Sequence, residues 1–280
     1  MKRIGILYHP VRQDALRLAH EVRAFLQGQA DLWQGPADDE ETLRRAAAEL
    51  DCLVTLGGDG TIVRAVRAVA AAGVPILGVN LGRLGFLAEV EPEQIEPALA
   101  AVLRGDYHLE RRMMLRSTLR RAQEVLAETE AINDVVVARG SVSRTVQVAV
   151  DVDGHYVMTQ TADGLIVSTP TGSTAYCLSA GGPIVAPDLN CITLTPIAAH
   201  LAVAHAIVIP AHRHLRLKLL KGQGAMLTVD GQLDIPLQPG DEVSSTASPN
   251  TAQFIRFGGD GYFYETILRR LRWPDQGPIP

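Results

Sequence analysis

Leu53-Val54-Thr55-Leu56-Gly57-Gly58-Asp59-Gly60-Thr61-Ile62-Val63 is the stretch whose reading decides the fold. An apolar run enters a glycine turn, and an Ala/Val/Arg pattern of helical period leaves it through Ala72, which reads as strand, tight turn and helix. Glycines at 57, 58 and 60 remove the Cβ atoms that keep a phosphate away from the backbone. They also permit φ > 0, so that amide N–H groups converge on an anion at the helix N-terminus. Asp59 is the odd member of such a loop. A carboxylate among anion-binding amides repels the ligand unless it has a task, and the task it fits is taking a proton from a hydroxyl that attacks phosphorus. A plain Asp-Gly turn is the alternative, because short glycine motifs recur by accident.

Upstream of this loop, Arg3 to Tyr8 reads as a buried first strand. A helix follows with apolar positions Leu16, Leu18, Ala19, Val22, Phe25 and Leu26. A polar stretch, Gly35 to Glu41, leads into a second helix ending near Leu50, its Asp38 to Glu41 run favourable at a helix start. Downstream, Gly73-Val74-Pro75 opens a short strand, Ile76 to Val79, and Asn80-Leu81-Gly82-Arg83-Leu84-Gly85-Phe86-Leu87 follows it directly. Alternating strands and helices predict a parallel α/β sheet, with both loops at the carboxyl ends of its strands, where ligands bind. A helix from Glu93 to Leu103 closes this first domain at about residue 108.

Beyond it the period changes to alternation. Val146, Val148, Val150 and Val152 lead to the hairpin signal Asp153-Gly154, Leu215, Leu217 and Leu219 alternate with Arg216 and Lys218, and a second hairpin signal, Asp230-Gly231, follows Met226 to Val229. The expected architecture is a Rossmann-like α/β domain over 1–108, a β-rich, sandwich-like domain over 109–255 and a C-terminal helical segment over 256–280 that packs back on the first domain, with the site between the two domains.

The 280 residues carry a net charge of −5, which argues against a nucleic-acid binder, so a polyanionic substrate has to be held by local groups. Cys52, Cys177 and Cys191 are scattered and lack metal-ligand spacing, as expected of a reduced cytosolic protein. The apolar start, Ile4 to Leu7, is too short for a signal peptide, and the longest apolar region, Ile197 to Ala211, is broken by His200, His205 and Pro210; no membrane span is expected.

Asp163-Gly164-Leu165-Ile166-Val167-Ser168-Thr169-Pro170-Thr171-Gly172-Ser173-Thr174-Ala175-Tyr176 is the most informative run of the second half. It combines a strand, a Pro-Thr-Gly turn, the hydroxyls of Ser168, Thr169, Thr171, Ser173 and Thr174, and an aromatic ring. Such a cluster suits a polyhydroxylated or phosphorylated ligand with a base to stack on Tyr176, unless it is simply a solvent-facing Ser/Thr turn.

With these residues in place, the chain closely resembles the NAD kinase family. The likeness rests on GGDGT at 57–61, NLGRLGFL at 80–87, Asn133-Asp134 ahead of a Val run, and DGLIVSTPTGSTAYCLSAGGP at 163–183. The last motif is highly specific, whereas GGDGT is shared with lipid kinases and phosphofructokinases. The resemblance implies an enzyme of the cytoplasm, a homodimer or homotetramer, that phosphorylates the 2′-hydroxyl of the adenosine ribose of NAD to give NADP. The donor is ATP or polyphosphate, with a divalent cation, Mg²⁺, carried in with ATP rather than on a metal site of the protein.

Carried over residue by residue, Asp59 resembles the catalytic base, with Gly57, Gly58, Gly60 and Thr61 beside it at the phosphates. Phe86 is similar to the residue lining the NAD pocket, and Asn133 and Asp134 to the pair that holds adenine and ribose. Asp163 resembles a nicotinamide-side contact; Thr174, Ala175, Tyr176 and Ser179 belong to the nucleotide-binding turn, and Gln232 to a contact of the second domain. Arg64 and Arg144 stand where the family places basic side chains, although surface arginines are an equal reading. No Walker lysine is present, so the donor phosphates are expected to rely on loop amides, the cation and arginines.

Two other readings share the glycine loop. A lipid kinase of the diacylglycerol type usually has an Asn-Glu pair directly after the motif, where this chain has Ile62-Val63-Arg64-Ala65, and a non-catalytic nucleotide sensor has no need of Asp59. The second GGDG string, Gly258 to Gly261, leads into Tyr262-Phe263-Tyr264 rather than an Ala-rich helix and is expected to be a connecting turn.

Overall fold

The computed structural model describes residues 2–82, 85–140, 144–199, 205–259 and 261–271. The chain divides into two compact units, Met1–Arg111 with Ala252–Pro280, and Arg112–Thr251.

The first unit begins with β1 Arg3–Tyr8, α1 Gln13–Leu26, β2 Asp31–Pro36, α2 Glu40–Ala47, β3 Cys52–Gly57, α3 Asp59–Val69, β4 Ile76–Asn80 and α4 Ile95–Arg104. The chain then passes through β5 His108–Arg121 into the second unit. There it forms β6 Glu124–Ala131, β7 Asp134–Ala138, β8 Val146–Val152, β9 His155–Ala162, β10 Gly164–Ser168, α5 Tyr176–Ser179, β11 Cys191–Ile197, β12 Ile207–Pro210, β13 Leu215–Lys221, β14 Met226–Val229 and β15 Leu233–Pro236. The long strand β16 Glu242–Arg256 brings it back, and α6 Tyr262–Leu271 falls in the first unit.

Strands of the first unit follow the order β2-β1-β3-β4-β16 and all pair in parallel. Ile4, Ile6, Val54, Leu56, Leu77 and Val79 pack one core with Leu18, Ala19, Val22 and Leu26 of α1 and Leu99 and Val102 of α4. Parallel strands covered on both faces read as unbroken apolar runs, which is why β1, β3 and β4 stand out in the sequence. Leu16, which the sequence groups with the inward stripe of α1, is 41 % exposed. β2 does not stand out either. At the end of the sheet it pairs with β1, starts at exposed Asp31 and ends in Gly35-Pro36, and of its residues Gly35 alone is buried, so an edge strand with little apolar demand results.

The second unit is two packed sheets. One has the order β16-β13-β8-β9, with β5 on β16 and β6 on β5; the other, six-stranded, runs β12-β11-β10-β7-β14-β15. Val148, Val150, Leu215 and Leu217 of the first share a core with Val135, Val137, Leu165, Leu194 and Val229 of the second. Both Asp-Gly pairs turn hairpins through the left-handed region, with φ of 52° and 83° at Asp153-Gly154 and 51° and 63° at Asp230-Gly231. This is the α/β plus β-rich architecture that the sequence predicts.

Candidate active site

In the first unit the register pairs Gly57 with Asn80, so the two glycine-containing loops leave the carboxyl ends of neighbouring parallel strands, and the Leu81 N–H donates to the Gly57 carbonyl at 3.0 Å. Asp59 is the first residue of α3, where a negative charge is favoured by the helix dipole. Its carboxylate reaches across to the second loop: Oδ2 accepts the Phe86 N–H at 2.8 Å and Oδ1 the Leu87 N–H at 3.3 Å. Gly85 makes this possible, because a Cβ there would lie 1.9 Å from Oδ1. A carboxylate accepting two backbone amides has a fixed direction, and each of its oxygens has a second lone pair.

The glycine loop itself differs from expectation. Gly57, Gly58 and Gly60 all keep negative or extended φ, with Gly58 at −99°. What requires glycine at 57 is close approach rather than handedness, since a Cβ there would sit 2.3 Å from the Thr61 Oγ1 of the first turn of α3. Arg64 is half-buried on the same helix, and Arg67 is ion-paired with Glu40 at 2.5 Å. Phe86 is buried, at 5 % exposure. Arg83 and Leu84 lie outside the described residues.

The loop that holds Asp59 is anchored in turn. The Arg256 guanidinium, buried at the end of β16, donates to the Leu87 carbonyl at 3.1 Å and pairs with Glu89 at 2.9 Å and Glu110 at 2.7 Å. Leu87 is thus fixed through both its groups, its N–H on Asp59 and its C=O on Arg256. No local pattern announces Arg256, which sits in the apolar end of a strand; its role comes from partners far away in the chain.

In the second unit, Asn133, Asp134, Ala175 and Tyr176 line one cavity of about 370 Å³, together with Asp230 and Gly231 of the β14–β15 turn. The hydroxyl-rich run also ties its own turn together beside this cavity. Ser168 Oγ donates to the Thr169 carbonyl, Thr169 Oγ1 to Ile132, Ser173 Oγ to Pro170 and Thr174 Oγ1 to Thr171. Four of the side chains thus donate to carbonyls of their own turn and of Ile132, because the turn they form is largely buried and its backbone groups need partners. The turn is stitched to the start of β7, with the Thr169 N–H on the Asn133 carbonyl at 2.9 Å. A Cβ at Gly172 would fall 2.0 Å from that same oxygen. Tyr176 is left 46 % exposed beside the cavity.

Asp134 is 4 % exposed, and burial, reinforced by the neighbouring Asp230 carboxylate, pushes its carboxyl up to about 7. Asp230 was legible only as a hairpin residue. The remaining expected residues stand apart from this cavity's lining: Asp163 pairs with Arg139 at 2.9 Å, Ser179 and Arg144 are exposed, and Gln232 is half-buried in the β14–β15 turn. His205 is exposed; His200 and Asp260 lie outside the described residues. Among the described residues no three His, Cys, Asp or Glu side chains are grouped as metal ligands, and no helix is long and apolar enough to cross a membrane.

The first unit thus carries a carboxylate aimed by backbone amides at a helix N-terminus, and the second a cavity of nucleoside size lined by an amide, a carboxyl and an aromatic ring, features that each suit a kinase acting on a nucleotide. Comparison with known proteins names the group. Residues 10–107 match the ATP-NAD kinase N-terminal domain and residues 132–257 the ATP-NAD kinase C-terminal domain. An NAD kinase of Moorella thermoacetica is 48% identical over 79% of this chain and 70% of its own length, and one of Citrifermentans bemidjiense 38% identical over 99% and 100%. Among solved structures, yeast NADH kinase complexed with NADH superimposes with a TM-score of 0.84 at 25% identity, covering 100% of this chain and 90% of that one. An NAD kinase from Archaeoglobus fulgidus in complex with ATP gives 0.75 at 28%, covering 96% and 98%. The chain belongs to the NAD kinase family. The comparisons lend no support to the lipid-kinase reading.

Proposed function

We propose that the chain transfers the terminal phosphoryl group of ATP, or of polyphosphate, to the 2′-hydroxyl of the adenosine ribose of NAD, giving NADP. Family membership supports the reaction, as do relatives solved with NADH and with ATP. The observation that carries the mechanism is the Asp59 carboxylate, fixed by the Phe86 and Leu87 amides at the ends of β3 and β4.

A ribose hydroxyl is a weak nucleophile. Asp59 orients it and takes its proton as the new O–P bond forms and the bond from phosphorus to the bridging oxygen breaks, releasing ADP when ATP is the donor. Gly57, Gly58, Gly60 and Thr61 leave room for the phosphates, with Arg64 as a local cation. Asn133 and Asp134 hold the nucleoside, with Tyr176 available for stacking and Phe86 and Ser179 as further contacts; Asp163, Gln232 and Arg144 serve the distal part of the substrate. A divalent cation arrives on the nucleotide, coordinated by phosphate oxygens and water. Action in the cytoplasm as a homodimer or homotetramer rests on the family resemblance.

Incubating the purified chain with NAD, ATP and Mg²⁺, and coupling any product to an NADP-specific dehydrogenase, tests the proposal. NADP formation is expected, and a parallel arm with polyphosphate ranks the donors. A chain that binds NAD and ATP yet yields no NADP refutes the reading in favour of a sensor.

A further inference from the structure

The Asp230-Gly231 pair is sufficient for its hairpin as a pair of residues that tolerate positive φ; nothing in that turn requires a carboxylate. The Asp230 carboxylate nevertheless leaves its own hairpin. Oδ2 accepts the Ile132 N–H at 3.0 Å, and Oδ1 accepts both the Asn133 N–H at 2.8 Å and the Asp134 N–H at 3.1 Å. Its own N–H returns to the Asp134 carbonyl at 2.9 Å. Three successive amides thus converge on one anion, a concavity of backbone N–H groups that favours a negative group. The far side of the same segment is pinned by Thr169, whose N–H donates to the Asn133 carbonyl at 2.9 Å and whose hydroxyl donates to Ile132.

We infer that Asp230 is a positioning residue for nucleoside recognition: its carboxylate sets the backbone of Ile132–Asp134 and thereby the direction in which Asn133 and Asp134 enter the cavity. The inference rests on the NAD kinase reading of that cavity, and it adds to it a residue remote in sequence from the pair it orients.

The same carboxylate has an electrostatic consequence. The ionisable groups that border the cavity beside Asp134 are Asp230, from the β14–β15 turn, and Tyr176, from α5; the residue opposite on β10 is Ser168. With burial as the larger cause and Asp230 as the second, the Asp134 carboxyl titrates near neutrality instead of in the ordinary carboxylate range. Ribose hydroxyls donate to an ionised carboxylate, so use of NAD rises as pH passes upward through about 7.

Asp230→Asn separates this role from hairpin formation, because Asn is among the residues best tolerated at positive φ and the turn survives. Its single carbonyl oxygen can serve Asn133 and Asp134, but its amide nitrogen opposes the Ile132 N–H. The expected result is a KM for NAD raised about tenfold, with kcat within twofold, KM for ATP unchanged, and the acid limb of kcat/KM for NAD displaced to lower pH. Asp230→Glu restores the charge and returns the acid limb towards that of the parent. An unchanged KM for NAD with an unmoved acid limb overturns the inference, as does a fall in kcat that accompanies equal losses for NAD and ATP.

Hydrogen exchange on the unmodified chain without NAD gives a second reading that does not depend on variants or turnover. The Ile132, Asn133 and Asp134 amides should be strongly protected, and exchange at the rate of exposed loops refutes the clamp. A parent chain that forms no NADP defeats the functional reading, whereas an active parent with an indifferent Asp230→Asn variant defeats only this inference.

Discussion

Asp59 and Asp134 are carboxylates at strand ends, one in each unit, and they are held in opposite ways. Asp59 follows the carboxyl end of β3, only partly buried, and two backbone amides donate to it. Asp134 begins β7 almost wholly buried, with another carboxylate as its neighbour, and its proton is retained to about 7. Hydrogen bonds from two amides fix the direction of the first carboxylate, while burial beside a like charge favours the neutral form of the second. The lesson is a division of labour: one acid is aimed by the backbone, the other is placed to change its charge near neutrality.

The comparison is easiest to break at its catalytic end. Asp59→Asn keeps the shape and removes the base, so kcat should fall by about 10²–10⁴ while the affinity for NAD, read by calorimetry, stays within about threefold. Near-full turnover in the coupled NADP assay would reject the base assignment.

Aim can be tested apart from charge. Gly85→Ala brings a methyl group onto the Asp59 carboxylate, whose Oδ1 and Cγ lie 1.9 and 2.5 Å from the ideal Cβ position. Displacing the acid by about an ångström should lower kcat by on the order of 10²-fold with the carboxylate still present. Parent-like kinetics would show that its direction does not matter.

The smallest effect belongs to Asp134 and is read as stability. Its folded-state pKa of about 7 lies above the ordinary 3.8, so the folded chain holds a proton that the unfolded chain releases. That contribution is fully present below the ordinary carboxylate range and is lost as pH rises through about 7. Asp134→Asn should therefore resist denaturant better than the parent at pH about 8, by on the order of 2 kcal/mol, and equally at pH about 4. A gain of the same size at both pH values would remove titration from the explanation.

Legibility followed burial. β1, β3 and β4 are continuous apolar runs because helices cover both faces, and the two Asp-Gly turns are local chemistry. β5 was not expected. His108–Arg121 is rich in arginine, one of which, Arg112, is 2 % exposed, and a buried arginine hides the alternation that marks a strand. At the site, Asn133, Asp134, Ala175 and Tyr176 were identified from motifs and do meet around one cavity. The bonds that the neighbouring hydroxyls make within their own turn were not legible, because a Ser/Thr cluster looks the same in sequence whether it faces a ligand or ties its own turn together.

The sequence by itself determined the alternation of strands and helices, the turn positions and the side-chain types available to chemistry, since each depends on residues a few positions apart. Only the tertiary structure decided what those side chains do. Asp59 finds its amides 27 and 28 residues on, Asp230 finds its three 96 to 98 residues back, and Arg256 reaches Leu87 across 169. Hydrogen bonds and the desolvation that shifts a pKa act through space, so contacts this distant along the chain leave no periodic trace in it.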